Sequence, residues 1–341
     1  MNLSIIIPHK NTPDLLFRCL HSIPEDKGIE VVIVDDGSDD AVQEIIKECC
    51  PLIRKNSKLV FLSESHGGGH ARNVGLSKAK GDYVLFSDCD DYFNYVIYDV
   101  VNRLSDYNAD ITFFNVSCID SDTYETISKR HPLNNYIELW DTDKDKAEKH
   151  LRFLFGEPWC KLIKRDLITQ NAIKFDETII NNDTTFSYMV GYYAKTVSVD
   201  KRSLYCYTIR RGSVSRLIDR KRMFTKIEVF GRSELFFRSH GQEWIKEDRH
   251  LLILYKFIKN KDYDSFFEGI DVLKDLGYDY NDIVSSFSTA VAKASIKAVS
   301  WCAVFTPIMR ARLLCFEKLF LVAIPRFVKY NIFKYKELKR Y

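Results

Sequence analysis

The chain has 341 residues, of which 46% are hydrophobic and 13% aromatic. This composition excludes a disordered chain and predicts one large domain with an appendage, or two domains, around a sizeable core. The net charge is only +3, but residues 293–341 carry eleven Lys or Arg against two Glu, so this segment alone has a charge of +9.

The nine cysteines contain no CxxC pair and no paired metal-ligand spacing, which indicates reduced thiols in a cytosolic protein. The N-terminal residues have no basic stretch followed by a long apolar one, so no secretory signal is expected. Near the C-terminus, the longest stretch without a charged residue runs over 298–309 and is too short to span a bilayer. We therefore expect a cytoplasmic protein.

Apolar, strand-like segments alternate with helical ones over the first 116 residues. The expected strands cover 3–7, 30–34, 58–62, 83–87 and 111–116. Helices are expected from the Thr12-Pro13-Asp14 start signal, at 39–48, after Gly69 and at 95–106. This alternation predicts an α/β fold with a mostly parallel sheet flanked by helices.

The pattern changes in the second half of the chain. Residues 117–145 are polar and turn-rich, which is typical of a variable excursion. Residues 159–216 mix short strands with one helix near 184–194, and the pattern is helical beyond about residue 220. We therefore place a boundary near 217–222, with an α/β part before it and a helical, basic part after it.

Four predicted strand ends carry distinctive residues, at 8–11, 35–38, 66–73 and 88–91. They should meet at one edge of the sheet, where ligands bind in open α/β folds. The first strand is not followed by GxGxxG, and no GxxxxGK[ST] occurs. Both absences argue against a hydride-transfer enzyme and a P-loop protein.

Acidic and basic residues at these strand ends indicate the chemistry. Asp88, Asp90 and Asp91 would repel one another unless a cation or a hydrogen-bonding ligand lies among them, although a solvated acidic turn is the alternative. Their hard oxygen atoms suit Mn²⁺ or Mg²⁺. Arg72 comes early in a helix behind three glycines and can hold a phosphate, and Asp36 can accept from a nucleobase N–H.

Six segments, in this order along residues 1–216, resemble the family 2 glycosyltransferases of GT-A fold: SIIIPHKN, EVVIVDDGSDD, GGGHARNVGLSKAKGDYVLFSDCDDYF, PWCKLIKRDLI, NNDTTF and YCYTIRRGSVSR. The resemblance implies a GT-A catalytic domain at 1–216 and a helical region at 217–341. It implies an inverting, metal-dependent transfer of a sugar from a nucleotide diphosphate, most often UDP, to a saccharide or lipid-linked saccharide. Bacterial surface polysaccharide assembly is the expected setting.

The resemblance also implies roles for single residues. Pro8 and Asn11 would line the nucleotide pocket, Asp36 would contact the base, and Arg72 would lie near the diphosphate. Asp88 would lie near the ribose and Asp90 on the metal, with Cys89 as the spacer between them. Asp183 would be the general base that takes the acceptor proton. Its alternative role is a simple N-cap of the helix that follows it.

Two positions depart from the family pattern. Asn182 stands where the family usually has Glu, and Lys10 stands where relatives more often have an aromatic residue. Asn182 leaves open an alternative function, a nucleotide-sugar-binding protein that has lost catalysis.

Several other residues have two interpretations each. His66 and His70 would touch phosphate or be exposed loop residues. Residues 210–216 would close over the diphosphate or form a plain hairpin turn. Trp159 and Lys161 fit an acceptor-side or a structural role better than a catalytic one.

The basic C-terminal segment, which also contains six Trp or Phe residues, has three interpretations. It is a helical subdomain, a peripheral attachment to the anionic inner face of a membrane, or a nucleic-acid binding element. The last is disfavoured because no nucleic-acid motif accompanies the charge. A scaffold held at membranes by this segment is the remaining alternative for the whole protein.

Overall fold

The structure is a computed structural model that describes residues 2–127, 131–209, 219–242, 244–245, 248–279 and 283. The expected loop at 210–216 and the basic segment at 293–341 lie outside the described residues. The chain divides into two compact units, Met1–Glu247 and Asp248–Tyr341.

The first unit is built on one sheet of eight strands: β1 (Leu3–His9), β2 (Ile29–Asp35), β3 (Ser57–Phe61), β4 (Tyr83–Phe86), β5 (Tyr92–Phe93), β6 (Ile111–Asp120), β7 (Lys161–Lys164) and β8 (Val197–Ile209). Their order across the sheet is β3-β2-β1-β4-β7-β6-β8-β5. Four of the seven neighbouring pairs are parallel, and β7 and β5 run antiparallel to their neighbours. The predicted α/β fold is confirmed.

Nine described helices belong to this unit: α1 (Pro13–His21), α2 (Asp40–Ile53), α3 (Gly68–Lys78), α4 (Val96–Asn102), α5 (Pro132–Leu139), α6 (Lys144–Phe153), α7 (Arg165–Gln170), α8 (Thr184–Tyr193) and α9 (Arg220–Ser239). Helix α5 lies inside the stretch predicted to be an irregular excursion. It begins at a Pro in the first turn, and the ring of His131 caps it by accepting from the amide of Leu133.

The central strands are buried on both faces, which explains their unbroken apolar sequences. Strands β1, β2 and β4 contribute Ile5, Ile6, Val31, Ile33 and Val84 to the main core, all without exposed surface. Because these strands are rigid and parallel, the residues that follow their carboxyl ends are held at one edge.

The second unit contains two described helices, α10 (Arg249–Lys259) and α11 (Tyr263–Asp275), which pack against each other. Each buries an apolar face, as the helical pattern beyond residue 220 predicts. In the part of the chain that the structure describes, no helix has the length and apolar character needed to cross a membrane.

Candidate active site

A cleft opens at the edge of the sheet where β1, β2 and β4 end. Its lining comes from the turns after these strands and from the start of α3: Pro8, His9, Lys10, Thr12, Asp36, Gly68, Asp88, Cys89 and Asp90. The predicted strand-end residues Pro8, Asp36, Asp88 and Asp90 therefore share one cleft. Their roles toward a ligand stay predictions.

A buried His–Asp pair fixes the first two turns of this cleft. Nδ1 of His9 lies 2.8 Å from Oδ2 of Asp35, and Nε2 accepts from the amide of Thr12 at 3.1 Å. This arrangement assigns the proton of His9 to Nδ1. Burial opposes ionisation of Asp35, but hydrogen bonds from His9 and Ser38 outweigh it and hold the pKa of Asp35 below its usual range.

Asn11 joins the same two turns from the exposed side. Its amide donates to Oγ of Ser38 at 2.8 Å, and its Oδ1 accepts from the amide of Asp39 at 2.9 Å. Asn11 has a φ of +53°, a left-handed conformation that Asn tolerates better than most residues. Its side-chain oxygen therefore already has a partner, and its predicted contact with a nucleotide stays a prediction.

The carboxylate of Asp36 holds the loop that leads into α3. It accepts from the amide of His66 at 2.8 Å, the amide of Gly67 at 2.8 Å and the hydroxyl of Ser65 at 2.7 Å. Gly67 can direct its amide at Asp36 with a φ of +93°, which a residue with a side chain rarely adopts. Asp36 thus couples the end of β2 to the glycine-rich start of α3.

Three carboxylates cluster after β4. One oxygen from each of Asp88, Asp90 and Asp91 lies within 4.8 Å of the others. Asp91 is only 1% exposed and accepts from the amide and the hydroxyl of Thr208, at 2.7 Å and 3.0 Å. Burial, and then the charges of Asp88 and Asp90, raise the pKa of Asp91 well above its usual value. A divalent cation that prefers oxygen ligands fits such a mutually repelling set.

The turn that carries Asp90 is held through its main chain. Its carbonyl oxygen accepts from the guanidinium of Arg18 and from the hydroxyl of Thr208 on β8. The intervening Cys89 has a pKa raised to about 12, because it is buried and faces Asp90. The thiol is therefore protonated at neutral pH, and the role of Cys89 as a spacer stays a prediction.

Arg72 links this carboxylate cluster to a distant part of the chain. Nη2 of Arg72 lies 2.5 Å from Oδ1 of Asp88, and Nη1 donates to Oδ1 of Asn182 at 2.9 Å. The side chain is 9% exposed. Burial lowers the pKa of Arg72, but the charges of Asp88 and Asp183 outweigh that effect and raise it. Arg72 is thus a fixed cation at the edge of the cleft.

Glycine at position 69 brings the loop before α8 against α3. A Cβ on Gly69 would lie 1.9 Å from the carbonyl oxygen of Asp176 and 2.9 Å from Cβ of Asn182. The chain then turns into α8 through Asn181, whose φ is +54°. This close approach sets the position of Asp183 relative to Arg72.

Asp183 occupies the N-cap position of α8, but its side chain makes no capping hydrogen bond. The simple capping role is therefore not what holds this carboxylate. Burial raises the pKa of Asp183 to about 6, Arg72 opposes the shift, and the charges of Glu157 and Asp88 add to it. A carboxylate with a pKa near neutrality suits proton transfer at physiological pH.

The two histidines near the glycines pair with acidic residues. Nε2 of His66 lies 3.4 Å from a carboxylate oxygen of Glu64, and Nδ1 of His70 lies 3.0 Å from one of Glu177. Their contact with phosphate stays a hypothesis.

Two features of the site have no assignment from the sequence, and a third has only a broad one. The sequence assigns no role to Asp91, although it belongs to the same DCDD run as Asp88 and Asp90. The bond between Asn182 and Arg72 has no signal in the sequence, because 110 residues separate the two. Lys161, for which the sequence offers an acceptor-side or a structural role, is the first residue of β7 and is only 1% exposed.

Comparisons with known proteins agree with this geometry. Residues 4–170 match the sequence profile described as glycosyl transferase family 2. The chain is similar to glycosyltransferase GlyA of Streptococcus pneumoniae, with 29% identity over 67% of this chain and 33% of that protein. It is also similar to a poly(ribitol-phosphate) beta-glucosyltransferase of Bacillus spizizenii, with 28% identity over 62% of this chain and 33% of that protein. The chain thus spans about a third of the length of both curated relatives.

Among solved structures, the fold is similar to residues 1–349 of Staphylococcus aureus TarS in complex with UDP-GlcNAc. The TM-score is 0.55 with 22% identity, and the alignment covers 76% of this chain and 72% of that one. The likeness establishes the GT-A fold of this chain.

Proposed function

Because residues 4–170 belong to glycosyl transferase family 2 and the fold is of GT-A type, we propose that this protein transfers a sugar from a UDP-sugar to a hydroxyl group of a saccharide or lipid-linked saccharide. The TarS structure contains UDP-GlcNAc, and one curated relative is named for transfer to poly(ribitol phosphate). Both names support a UDP-linked donor and a role in bacterial surface polymer biosynthesis.

One observation carries the proposal: Arg72 is bonded both to Asp88 of the carboxylate cluster and to Asn182, the neighbour of Asp183. A fixed cation thus lies between an acidic cluster and a carboxylate of raised pKa. Sugar transfer needs these three parts: a place for the diphosphate, a site for its counter-charge, and a base for the acceptor.

On the donor side, we assign the nucleotide to the cleft between Pro8, Asn11 and Asp36. Asp88 would receive the ribose, and Arg72 would stabilise the charge that grows on the diphosphate as it leaves. Asp90, with Asp88 and Asp91 close by, would hold Mn²⁺ or Mg²⁺. Such an ion, when bound, neutralises charge on the leaving diphosphate.

On the acceptor side, Asp183 would accept the proton of the attacking hydroxyl. The acceptor oxygen then forms a bond to the anomeric carbon, and the bond to the diphosphate oxygen breaks, with the electron pair leaving on the diphosphate. One displacement of this kind inverts the anomeric configuration. Asp183 must be ionised to act, and its pKa of about 6 leaves it so at neutral pH.

We also propose that the basic, aromatic segment at 293–341 attaches the cytoplasmic enzyme to anionic lipid, where a lipid-linked acceptor would reside. The charge of +9 in this segment supports the assignment. Co-sedimentation with phosphatidylglycerol vesicles at low salt, and release at high salt, is the expected result. Failure to sediment at low salt contradicts it.

The central experiment combines binding with turnover. A thermal-shift screen of UDP and UDP-sugars, with and without Mn²⁺, is expected to identify the donor through a metal-dependent rise in Tm. With that donor, Asp183→Asn should lose turnover by about 10²–10⁴-fold while retaining nucleotide binding. Asp90→Ala should lose both turnover and the metal-dependent part of binding.

Asp166→Asn on α7 is the matched control. The side chain of Asp166 is 73% exposed, and the substitution removes the same charge away from the site. Binding without turnover in the wild-type protein would favour a nucleotide-sugar-binding protein without catalysis. No binding of any nucleotide, with or without metal, would favour the scaffold.

A further inference from the structure

Lys161 is buried at the edge of the sheet that carries the site. It is the first residue of β7 and is 1% exposed. Strand β7 runs antiparallel to β4, with Val84 opposite Ile163. The start of β7 therefore lies toward the end of β4, which Asp88 follows.

The surroundings of the Lys161 amine are mostly apolar. Nζ donates to the carbonyl oxygen of Phe155 at 2.9 Å and lies 4.5 Å from the ring of Phe155 and 5.9 Å from that of Phe113. Among the described residues, this carbonyl is the one hydrogen-bond acceptor for a group that carries three N–H bonds when charged. Burial lowers the pKa of Lys161 to about 7, and the charges of Glu157, Asp183 and Cys160 oppose that shift.

The loop that Lys161 holds lies on the first turn of α8. The carbonyl oxygen of Glu157 accepts from the hydroxyl of Ser187 at 3.3 Å. A Cβ on Gly156 would lie 3.7 Å from Oγ1 of Thr184, which is ordinary van der Waals contact. Lys161 thus supports, through Phe155 and this loop, the helix end that presents Asp183.

We propose that Lys161 is a positioning residue for Asp183: it supports the loop beneath the start of α8, and its ammonium favours the carboxylate form of Asp183. The inference rests on the proposed role of Asp183 as the base. The other charges that face Asp183 come from Arg72 on α3, Glu157 in the loop and Asp88 after β4. Those that face Lys161 are Glu157 and Asp183, and the titratable thiol of Cys160 lies beside them, with its pKa raised well above the usual value by burial.

The charge of Lys161 should affect the pH at which activity is lost on the acidic side. The charge of Asp183 raises the pKa of Lys161, and the interaction is mutual, so a protonated Lys161 lowers the pKa of Asp183. Removal of that cation raises the proton affinity of Asp183, so that a higher pH is needed to ionise it. The acidic limb of the pH profile therefore reports the charge of Lys161.

The test measures kcat/KM from pH 5 to pH 9, with the donor found by the thermal-shift screen, for the wild type, Lys161→Met and Lys161→Arg. The midpoint of the acidic limb should move up by about one pH unit in Lys161→Met. It should stay in place or move down in Lys161→Arg, which keeps a permanent cation. Lys164→Met is the control, since Lys164 lies at the other end of β7 and pairs with Asp110 at 3.2 Å.

The outcomes separate the possible failures. If Lys161→Met is active and its acidic limb is unmoved, the inference is wrong. A loss of kcat in both Lys161 variants with no movement of either limb indicates a purely structural residue and also overturns it. If Lys161→Met does not fold, Lys161→Arg decides alone, because an upward movement of its limb contradicts the proposal. An inactive wild type contradicts the proposed function itself.

Discussion

Oδ1 of Asn182 accepts a hydrogen bond of 2.9 Å from Nη1 of Arg72. The same guanidinium is paired with Asp88 at 2.5 Å. Because the amide of Asn182 is neutral, it satisfies a donor of Arg72 without neutralising its charge. In the proposed role of Arg72, a neutral residue at position 182 would therefore leave its guanidinium more positive toward a diphosphate.

Asn182→Asp is expected to shift the pH dependence of the enzyme. The new carboxylate lies next to Asp183, and a like charge raises the pKa of Asp183 above about 6. Since the base must be ionised, activity is present above this pKa and is lost as the pH falls through it. The acidic limb of kcat/KM should therefore move to higher pH, and affinity for UDP should fall by about tenfold at low salt. Asn108→Asp, on an exposed loop, adds the same charge as a control and should leave both unchanged.

Gly69→Ala should reduce both stability and turnover. The added Cβ would lie 1.9 Å from the carbonyl oxygen of Asp176, so the loop before α8 must move. We expect a loss of about 1–3 kcal/mol in the free energy of unfolding, measured with urea, and a larger relative loss in kcat than in nucleotide affinity. Gly156→Ala is the control, because its Cβ meets only ordinary contacts near Thr184. Equal turnover in Gly69→Ala and the wild type would contradict the conclusion that the contact of Gly69 with the loop before α8 positions Asp183.

Asp91→Ala and Asp91→Asn should differ in stability. Oδ1 of Asp91 accepts both the amide and the hydroxyl of Thr208 in a buried setting. Alanine leaves the buried amide of Thr208 without an acceptor, whereas the hydroxyl can still donate to the carbonyl oxygen of Asp90. The free energy of unfolding should fall by about 1–3 kcal/mol. Asparagine retains an acceptor oxygen and also removes a carboxylate whose pKa is raised, so it should recover the loss in full or exceed the wild type in stability. Urea unfolding at pH 7 checks this, and equal destabilisation by both variants would contradict the role of the acceptor.

Asp183→Asn should make the folded protein more stable at high pH while it lowers turnover by about 10²–10⁴-fold. The pKa of about 6 exceeds the ordinary value of an Asp, so the folded state binds this proton more tightly than the unfolded state. The free energy of unfolding therefore falls as the pH rises from about 4 to about 6 and stays lower above that. Because Asp183 is half-buried, we expect Asp183→Asn to gain about 1–2 kcal/mol at pH 8 and little near pH 4.

Urea unfolding at the two pH values measures this difference, with the exposed Asp166→Asn as the control for loss of charge. If Asp183→Asn is less stable than the wild type at pH 8, the ionised carboxylate of Asp183 does not destabilise the folded state, which contradicts the prediction.

The edge of the sheet that we propose for the donor was predictable from local pattern. Pro8, Asp36, Asp88 and Asp90 each follow or end a buried apolar strand, and parallel strands bring such residues to one edge. The cleft confirms this convergence. The position of β7 between β4 and β6, antiparallel to both, was not predictable. A strand of four residues has too short a sequence pattern to indicate its direction in the sheet.

The acceptor side depended on packing that periodicity does not encode. The resemblance named Asp183, but its distance from Arg72 is set by a backbone contact at Gly69 across more than a hundred residues. The burial of Asp91 likewise depends on Thr208, which lies 117 residues later. Such contacts follow from the folded sheet and not from any local sequence window.

The two bonds of Arg72 also differ in when they can form during synthesis. Asp88 emerges from the ribosome 16 residues after Arg72, whereas Asn182 follows 110 residues after it. A chain still being translated can therefore pair Arg72 with Asp88, and complete β1 to β4, well before α8 exists. The turns after β1, β2 and β4 are thus translated first, and the loop that carries Asn182 and Asp183 is added to them later.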